Sequence, residues 1–336
     1  MGVEIIAEIA QGFEGSCSQA KLLVKAAASA GANAVKFQLV YADELATNDY
    51  VHYNLFKSLE MSDKDWDSIN KYSIKNDIQL YFDVFGQQGL NLCQKLGVKA
   101  IKLHPTDITN LFLLENVANS KIKSVILGVG GANLDEIEMA LNILRNKKVD
   151  LLLGFQSYPT ENSDNHILRF TRVSNLALKI HKNFRIGFAD HANPNKQMKF
   201  AIACTAVGAG FEVLEKHLTL GKVMEMEDYE SALNPDEFKE FVYVIRECSS
   251  SLGPSGGTSN DFNMSKSEKK YRKEIRRHVV STRKLSKGKI IKPDDVCLKR
   301  TSESKVIYDI KSVYNKKLKT NISKINQYQK ILFNHV

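Results

Sequence analysis

Between Arg185 and Leu220 the chain reads RIGFADHANPNKQMKFAIACTAVGAGFEVLEKHLTL. A short apolar run, 185–191, ends in Asp190 and His191. A stretch rich in small apolar residues, KQMKFAIACTAVGAG, follows, and then a second apolar run, 211–218, which carries Glu215, Lys216 and His217. Strand, amphipathic segment, strand is the signature of a parallel βαβ unit. Both strands end in ionisable groups, which cost free energy to desolvate. A buried strand has no need of charge at its tip, so these tips face something polar.

The same alternation recurs along the chain. Strands are expected at 3–10, 34–40, 79–85, 100–104, 124–129, 150–156, 185–191 and 211–218. Between them lie helical patterns such as SQAKLLVKAAASAG, DKDWDSINKYSIKND and LDEIEMALNILRNKK, and PDEFKEFVYVIRECSSSLG follows the last strand. Eight such units in about 250 residues predict an α/β fold, a (β/α)8 TIM barrel. An open doubly wound sheet is the alternative, but no GxGxxG follows the first strand. The predicted organisation is a catalytic barrel over 1–252, a Gly/Ser/Asn-rich linker over 253–272 (LGPSGGTSNDFNMSK lies at its start) and a small β-rich domain over 273–336. In that last segment, HVVSTRKLSKGKIIKPDDVCLKR reads as short strands with a Ser-Lys-Gly turn and a Pro-Asp-Asp helix start.

Composition narrows the class. The 336 residues are 43% hydrophobic and 25% charged, ordinary for a globular protein with a sizeable core. No apolar stretch reaches the ~18 residues of a membrane span, and MGVEIIAEIAQ lacks the pattern of a signal peptide. Gly2 permits myristoylation, but the strand that follows argues against it. Five cysteines, at 17, 93, 204, 248 and 297, form no CxxC and fit reduced thiols in a cytoplasmic protein. The net charge of +9 is uneven: from Ser265 onward there are 21 Lys and Arg against 6 Asp and Glu, leaving 26 against 32 before it. Two parts of opposite sign suggest domains that attract each other or pair across a dimer. The run KSEKKYRKEIRR is a solvated helix face before it is a nucleic-acid grip, and no nucleic-acid or membrane partner is expected.

In a barrel the C-terminal strand ends form one face, and that face carries the chemistry. Here those ends bring Glu8, Lys36 and Gln38, Asp83, Lys102 and His104 with Asp107 beyond, Gln156 and Tyr158, Asp190 and His191, and Glu215 with His217. Each residue alone has an ordinary structural explanation; seven strands together point to a catalytic face. His191 and His217 stand on adjacent strands and are the best metal ligands, since imidazoles suit Mn, Co or Zn. Spacing leaves a His acid–base pair equally open. Glu215, two residues before His217 on the same strand face, is placed to orient or complete a metal shell. Lys36 and Lys102 suit a phosphate or carboxylate.

The ordered set IIAEI, AGANAVKFQ, IGFADH, AVGAGFEVLEKHLT, SALNPDEFKEF and LSKGKIIKPDDVCLKR resembles the sialic acid synthase family, including the legionaminic and pseudaminic acid synthases. The likeness covers nearly the whole chain. It implies a barrel joined to a C-terminal antifreeze-like (SAF) domain. It further implies condensation of phosphoenolpyruvate with an N-acetylated hexosamine-type aldehyde to a nine-carbon 2-keto sugar acid, with release of phosphate. The resemblance assigns a divalent ion, Mn2+ first and Mg2+ or Co2+ as alternatives, to His191 and His217, and phosphoenolpyruvate to Lys36 and Lys102. Glu8 and Tyr158 fall on residues that contact the sugar or assist proton transfer, Asp107 on a carboxylate that handles water, and Asp228 on an acid that binds sugar hydroxyls. Arg300 matches an arginine that reaches the neighbouring subunit's site, which implies a domain-swapped homodimer.

The chain departs from the family pattern at several tips. Gln11-Gly12 replaces Asn-His, LGVGG (127–131) replaces Ser-Thr-Gly-Met, His104-Pro105 replaces Gly-Ser, and Ala189 replaces Ser. Asp83 stands at a phosphate-facing position, where an acid repels phosphate unless a lysine pairs with it. Backbone N–H groups of GVGG are the expected substitute for the lost hydroxyls. These changes bear on substrate identity and on the donor. Two other readings therefore stand beside the synthase: a metal-dependent aldolase or isomerase on the same barrel, and a non-catalytic sugar-acid-binding relative.

Overall fold

The computed structural model describes residues 2–154, 157–196, 198–253, 264–301 and 307–322. The chain divides into two compact units, Met1–Thr258 and Ser259–Val336. In the first, eight strands alternate with helices: β1 Glu4–Ala10, β2 Ala34–Leu39, β3 Gln79–Val84, β4 Ala100–Leu103, β5 Ser124–Gly128, β6 Lys148–Leu153, β7 Phe184–Asp190 and β8 Val213–His217. The helices are α1 Cys17–Ala30, α2 Ala42–Leu45, α3 Tyr53–Leu59, α4 Asp63–Lys75, α5 Gln87–Leu96, α6 Leu111–Asn119, α7 Leu134–Ile143, α8 Phe170–Ile180, α9 Ala201–Ala209 and α10 Pro235–Ser251. Each strand pairs in parallel with its sequence neighbour, and β1 closes the barrel on β8 with Glu4 opposite Val213 and Glu8 opposite His217. The expected TIM barrel is the observed fold. β6 stops at Leu153, before the expected 156, and the next residue gives the reason. Gly154 has φ 143, and a Cβ there would stand 2.4 Å from the Ala189 carbonyl oxygen, so only glycine can make this exit.

Local sequence sets the helix ends. Ser16 caps α1, whose other end closes at Gly31 with φ 87, in the left-handed region. Asn133 with Glu136, and Asn234 with Glu237, form capping boxes at α7 and α10. Outside the sheet, Trp66 of α4 is 1% exposed. Its ring meets Phe13, Phe37 and Phe82 edge-on, with centroids 5.1 to 5.8 Å apart.

The barrel interior is stacked in three layers, because alternate strand residues point inward. At the N-terminal end, Arg185 donates to Asp150 at 2.6 and 2.7 Å and to Glu4 at 2.7 Å, and the Tyr81 hydroxyl donates to Glu4 at 2.9 Å. Above this polar plug lies an apolar layer that includes Ile6, Ala34, Ala100, Ile126, Leu152 and Val213. Two residues further along the strands come Glu8, Lys36, Asp83, Lys102 and Glu215. The apolar layer seals the floor beneath them from the far end of the barrel.

The second unit has its own core around Val279, Leu285, Ile291, Val296 and Val313. β9 His278–Ser281 and β10 Val296–Lys299 pair antiparallel. The Ser-Lys-Gly turn is present, with Gly288 at φ 85, and the Pro-Asp-Asp helix start is one 3-10 turn, Pro293–Asp295. Helix α11, Lys266–Ile275, begins inside the stretch expected to be linker. Ser265 and Glu268 form its capping box, an S-x-x-E signal that the polar composition of the region concealed. Among the described residues no helix is long and apolar enough to cross a membrane.

Candidate active site

At the C-terminal strand ends, two ammonium groups share three carboxylates. Lys36 Nζ contacts Glu8 Oε2 and lies 2.9 Å from Asp83 Oδ2 and 3.5 Å from Glu215 Oε2. Lys102 Nζ lies 2.7 Å from Glu215 Oε1, 3.6 Å from Asp83 Oδ2 and 3.9 Å from Glu8 Oε2. All five side chains are at most 5% exposed. Desolvated charge survives only when paired, and the pairing here is dense enough to separate like groups. Burial pushes the Glu8 carboxyl up to about 7, against the pull of Lys36 and Lys102; Glu215 and Asp83 push it the same way as burial. Burial also works to raise Glu215 and Asp83, but Lys102 and Lys36 overcome it and hold both below the usual carboxylate range. Burial opposes charge on Lys36, yet the surrounding carboxylates raise its ammonium well above the normal range. One carboxyl is thus poised to carry a proton near neutrality beside two that stay ionised.

Beside this cluster stand the two histidines, His191 just after β7 and His217 at the end of β8, with ring centroids 5.2 Å apart. Tyr158 meets both edge-on, at 5.1 and 5.8 Å, after which a cis Tyr158–Pro159 bond turns the chain. Burial and the neighbouring His191 hold His217 neutral, well below the usual imidazole range. Asp228, in the loop after β8, places Oδ2 3.8 Å from His217 Nδ1; burial, then Glu227 and Glu230, push its carboxyl up to about 7. The donor set fits a divalent ion, since two buried imidazoles on adjacent strands are nitrogen donors of the kind such ions take. Among the described residues no group of three or more His, Cys, Asp and Glu is gathered to hold a metal by itself. The two imidazoles therefore leave positions for water or substrate oxygen, as a Lewis-acid site requires.

The backbone of His191 is fixed from several sides. Its carbonyl accepts from Thr160 N–H at 2.9 Å and from the Ser231 hydroxyl at 3.2 Å. Lys216, fully buried and outward-facing on β8, lies 3.4 Å from Asp190 Oδ1 and donates to the Ala192 carbonyl at 3.0 Å. Asp190 in turn accepts from Ala192 N–H at 2.8 Å. Lys216 and Ser231 are positioning residues: strand-end reasoning named Lys216 but gave it no role, and it missed Ser231. A lysine between Glu215 and His217, on the opposite strand face, was the available signal for Lys216.

Gln38 is held by Gln11, whose Nε2 donates to Gln38 Oε1 at 2.8 Å, so that substituted position helps shape the rim. Asp107 is not brought into the cluster: its carboxylate accepts from Asn110 at 2.9 Å within its own turn. Gln156 lies outside the described residues. Arg300 belongs to the second unit, where its Nε donates to the Ile275 carbonyl at 3.2 Å. The expected substitution of hydroxyls by GVGG amides meets an obstacle. Val129 N–H already donates to the Leu152 carbonyl at 3.0 Å. Pro105 packs on Gly128 so closely that a Cβ there would be 2.5 Å from its ring.

A closed parallel barrel with ionisable groups gathered at its C-terminal strand ends defines the class of barrel enzymes with an active site on that face. Within it, the chain belongs to the NeuB family, whose model matches residues 23–256. It is 30% identical to an uncharacterized protein of Methanocaldococcus jannaschii over 94% of this chain and 90% of that one. It is 28% identical to N,N'-diacetyllegionaminic acid synthase of Legionella pneumophila over 95% of this chain and 91% of the relative. Among solved structures, the N-acetylneuraminic acid synthetase of Leptospira borgpetersenii matches with a TM-score of 0.71 at 29% identity, covering 82% of this chain and 93% of that one.

Proposed function

We propose that this chain condenses phosphoenolpyruvate with an N-acetylated hexosamine-type aldehyde, yielding a nine-carbon 2-keto sugar acid and phosphate. One observation carries the reading: two buried strand-end imidazoles stand beside a buried lysine pair. That arrangement supports one anionic and one carbonyl substrate meeting in a single pocket. Lys36 and Lys102 bind the donor's negative charge, and holding both reactants together removes the entropy of encounter. A divalent ion held by His191 and His217, Mn2+ foremost, would supply polarisation of the aldehyde oxygen. Glu8, with its carboxyl near 7, delivers or receives a proton at the new alkoxide or the attacking water. Tyr158 walls the aldehyde seat, and Asp228 accepts from sugar hydroxyls. Arg300 of a second copy reaches into the substrate site in a homodimer, as the resemblance implies.

The test is phosphate release from phosphoenolpyruvate with Mn2+ and a panel of N-acetylated hexosamines, run beside His191→Ala and His217→Ala. Release with one sugar is expected, and both variants should lose it together with Mn2+ binding, which calorimetry reads independently. No release with any sugar from folded, Mn2+-binding protein would sink the reading. Turnover with pyruvate in place of phosphoenolpyruvate would move the assignment to an aldolase.

A further inference from the structure

An anion entering this pocket meets lysines already engaged by carboxylates, and Asp83 is the one that stands between them. It lies on β3, paired with Gln38 of β2 on one side and with Lys102 of β4 on the other. A single oxygen, Oδ2, approaches both ammoniums, at 2.9 and 3.6 Å. That is the bridging place an oxygen of a bound anion would take. The other oxygen, Oδ1, is buried and accepts no hydrogen bond among the described residues. A buried acceptor without a donor is costly. The strand ends that follow supply no hydroxyl there: β4 runs into His104-Pro105, and β5 ends in Gly128 beneath the proline ring.

We propose that Asp83 makes this floor selective for a singly charged, proton-bearing phosphate group over a dianion that has no proton to give. The phosphate monoanion offers oxygens to Lys36 and Lys102 and its own O–H to Asp83 Oδ1, so every group is satisfied. A proton-free dianion brings only acceptors and sets two charges against the Asp83 carboxylate. The groups facing Asp83 are Glu8 from β1, Lys36 from β2, Lys102 and His104 from β4 and the turn after it, and Glu215 from β8. A comparison at one pH holds their charges fixed. The inference deepens the proposed donor site, because it names the protonation state in which a phosphate ester enters.

Sulfate is the probe, being close to phosphate in shape but doubly charged and proton-free. Calorimetry on the full chain, in chelator-treated buffer one unit below the second ionisation of phosphate, compares inorganic phosphate with sulfate. The wild type is expected to prefer phosphate by at least about tenfold, since a site built around a ligand proton rejects the analogue without it. In Asp83→Asn and Asp83→Ser the ratio should collapse toward one, through tighter sulfate binding. The proposal is overturned if the wild type binds both anions alike or binds neither, or if the preference survives in Asp83→Ser. Should Asp83→Asn fail to fold, the wild-type ratio and the serine variant still decide. A phosphate preference lost in the variants, without phosphoenolpyruvate turnover, sinks the synthase reading and leaves this one standing; turnover with no preference does the reverse.

Discussion

Glu8 illustrates how much a residue's chemistry depends on its neighbours. Its sequence context, IIAEIA, marks only a carboxylate in an apolar strand. Burial beside Glu215 and Asp83 raises its carboxyl to about 7 from the ordinary 4.5. The folded state therefore binds this proton more tightly than the unfolded chain does. The resulting stabilisation is complete below pH 4.5 and is lost as pH rises through 7. Glu8→Gln keeps the shape and removes the titration. The stability of the variant relative to wild type should climb by a few kcal/mol between those limits, read as urea midpoints across pH. A difference that stays flat would show that Glu8 titrates normally in the fold. The two histidines were legible as strand-end residues; that His217 is held neutral follows only from its burial and from His191 beside it.

At the scale of elements, two departures from the family pattern are one structural event. His104-Pro105 follows β4 and Gly128 ends β5, and the proline ring fills the space over the glycine. Gly128→Ala should destabilise by about 1–3 kcal/mol through overpacking. Pro105→Ala in the same chain should recover much of that loss, because contacting sites are not additive. Additive effects in denaturant unfolding would show that the two strands' ends do not share this space. The strands themselves were readable from alternating apolar runs, and seven of eight ended within two residues of expectation. The exception, β6, was cut short at Gly154, where the Ala189 carbonyl on β7 leaves no room for a side chain. Helix α11 was misjudged because charged and polar composition was weighed above a capping box.

For the whole molecule, the basic C-terminal unit is where assembly would bear on activity. If Arg300 acts on the site of a second copy, Arg300→Ala and His217→Ala will each be inactive in phosphate release. Mixed after unfolding and refolding together, they should recover roughly a quarter of wild-type activity, since half of randomly paired dimers contain one intact site. Mixtures with no recovery would place Arg300 in its own chain's site, and an active Arg300→Ala would place it outside catalysis. Light scattering on the same samples reads the oligomer directly.

The sequence by itself determined the barrel, the order of its units and the strand tips on which the chemistry stands. These follow from period-two and helical patterns that need no knowledge of distant contacts. It also fixed the family, through motifs spread along the whole chain. Only the tertiary structure decided which ionisable groups meet. Lys102 and Glu215 are 113 positions apart in sequence yet 2.7 Å apart in the fold, and Asp107, next to the right strand, stays outside. Closure of β1 on β8 brings the ends of the chain's first and last barrel strands together. The protonation of Glu8, the neutrality of His217 and the bridging seat of Asp83 all depend on those long-range distances, because charge–charge energies are set by separation and burial and not by position in the chain.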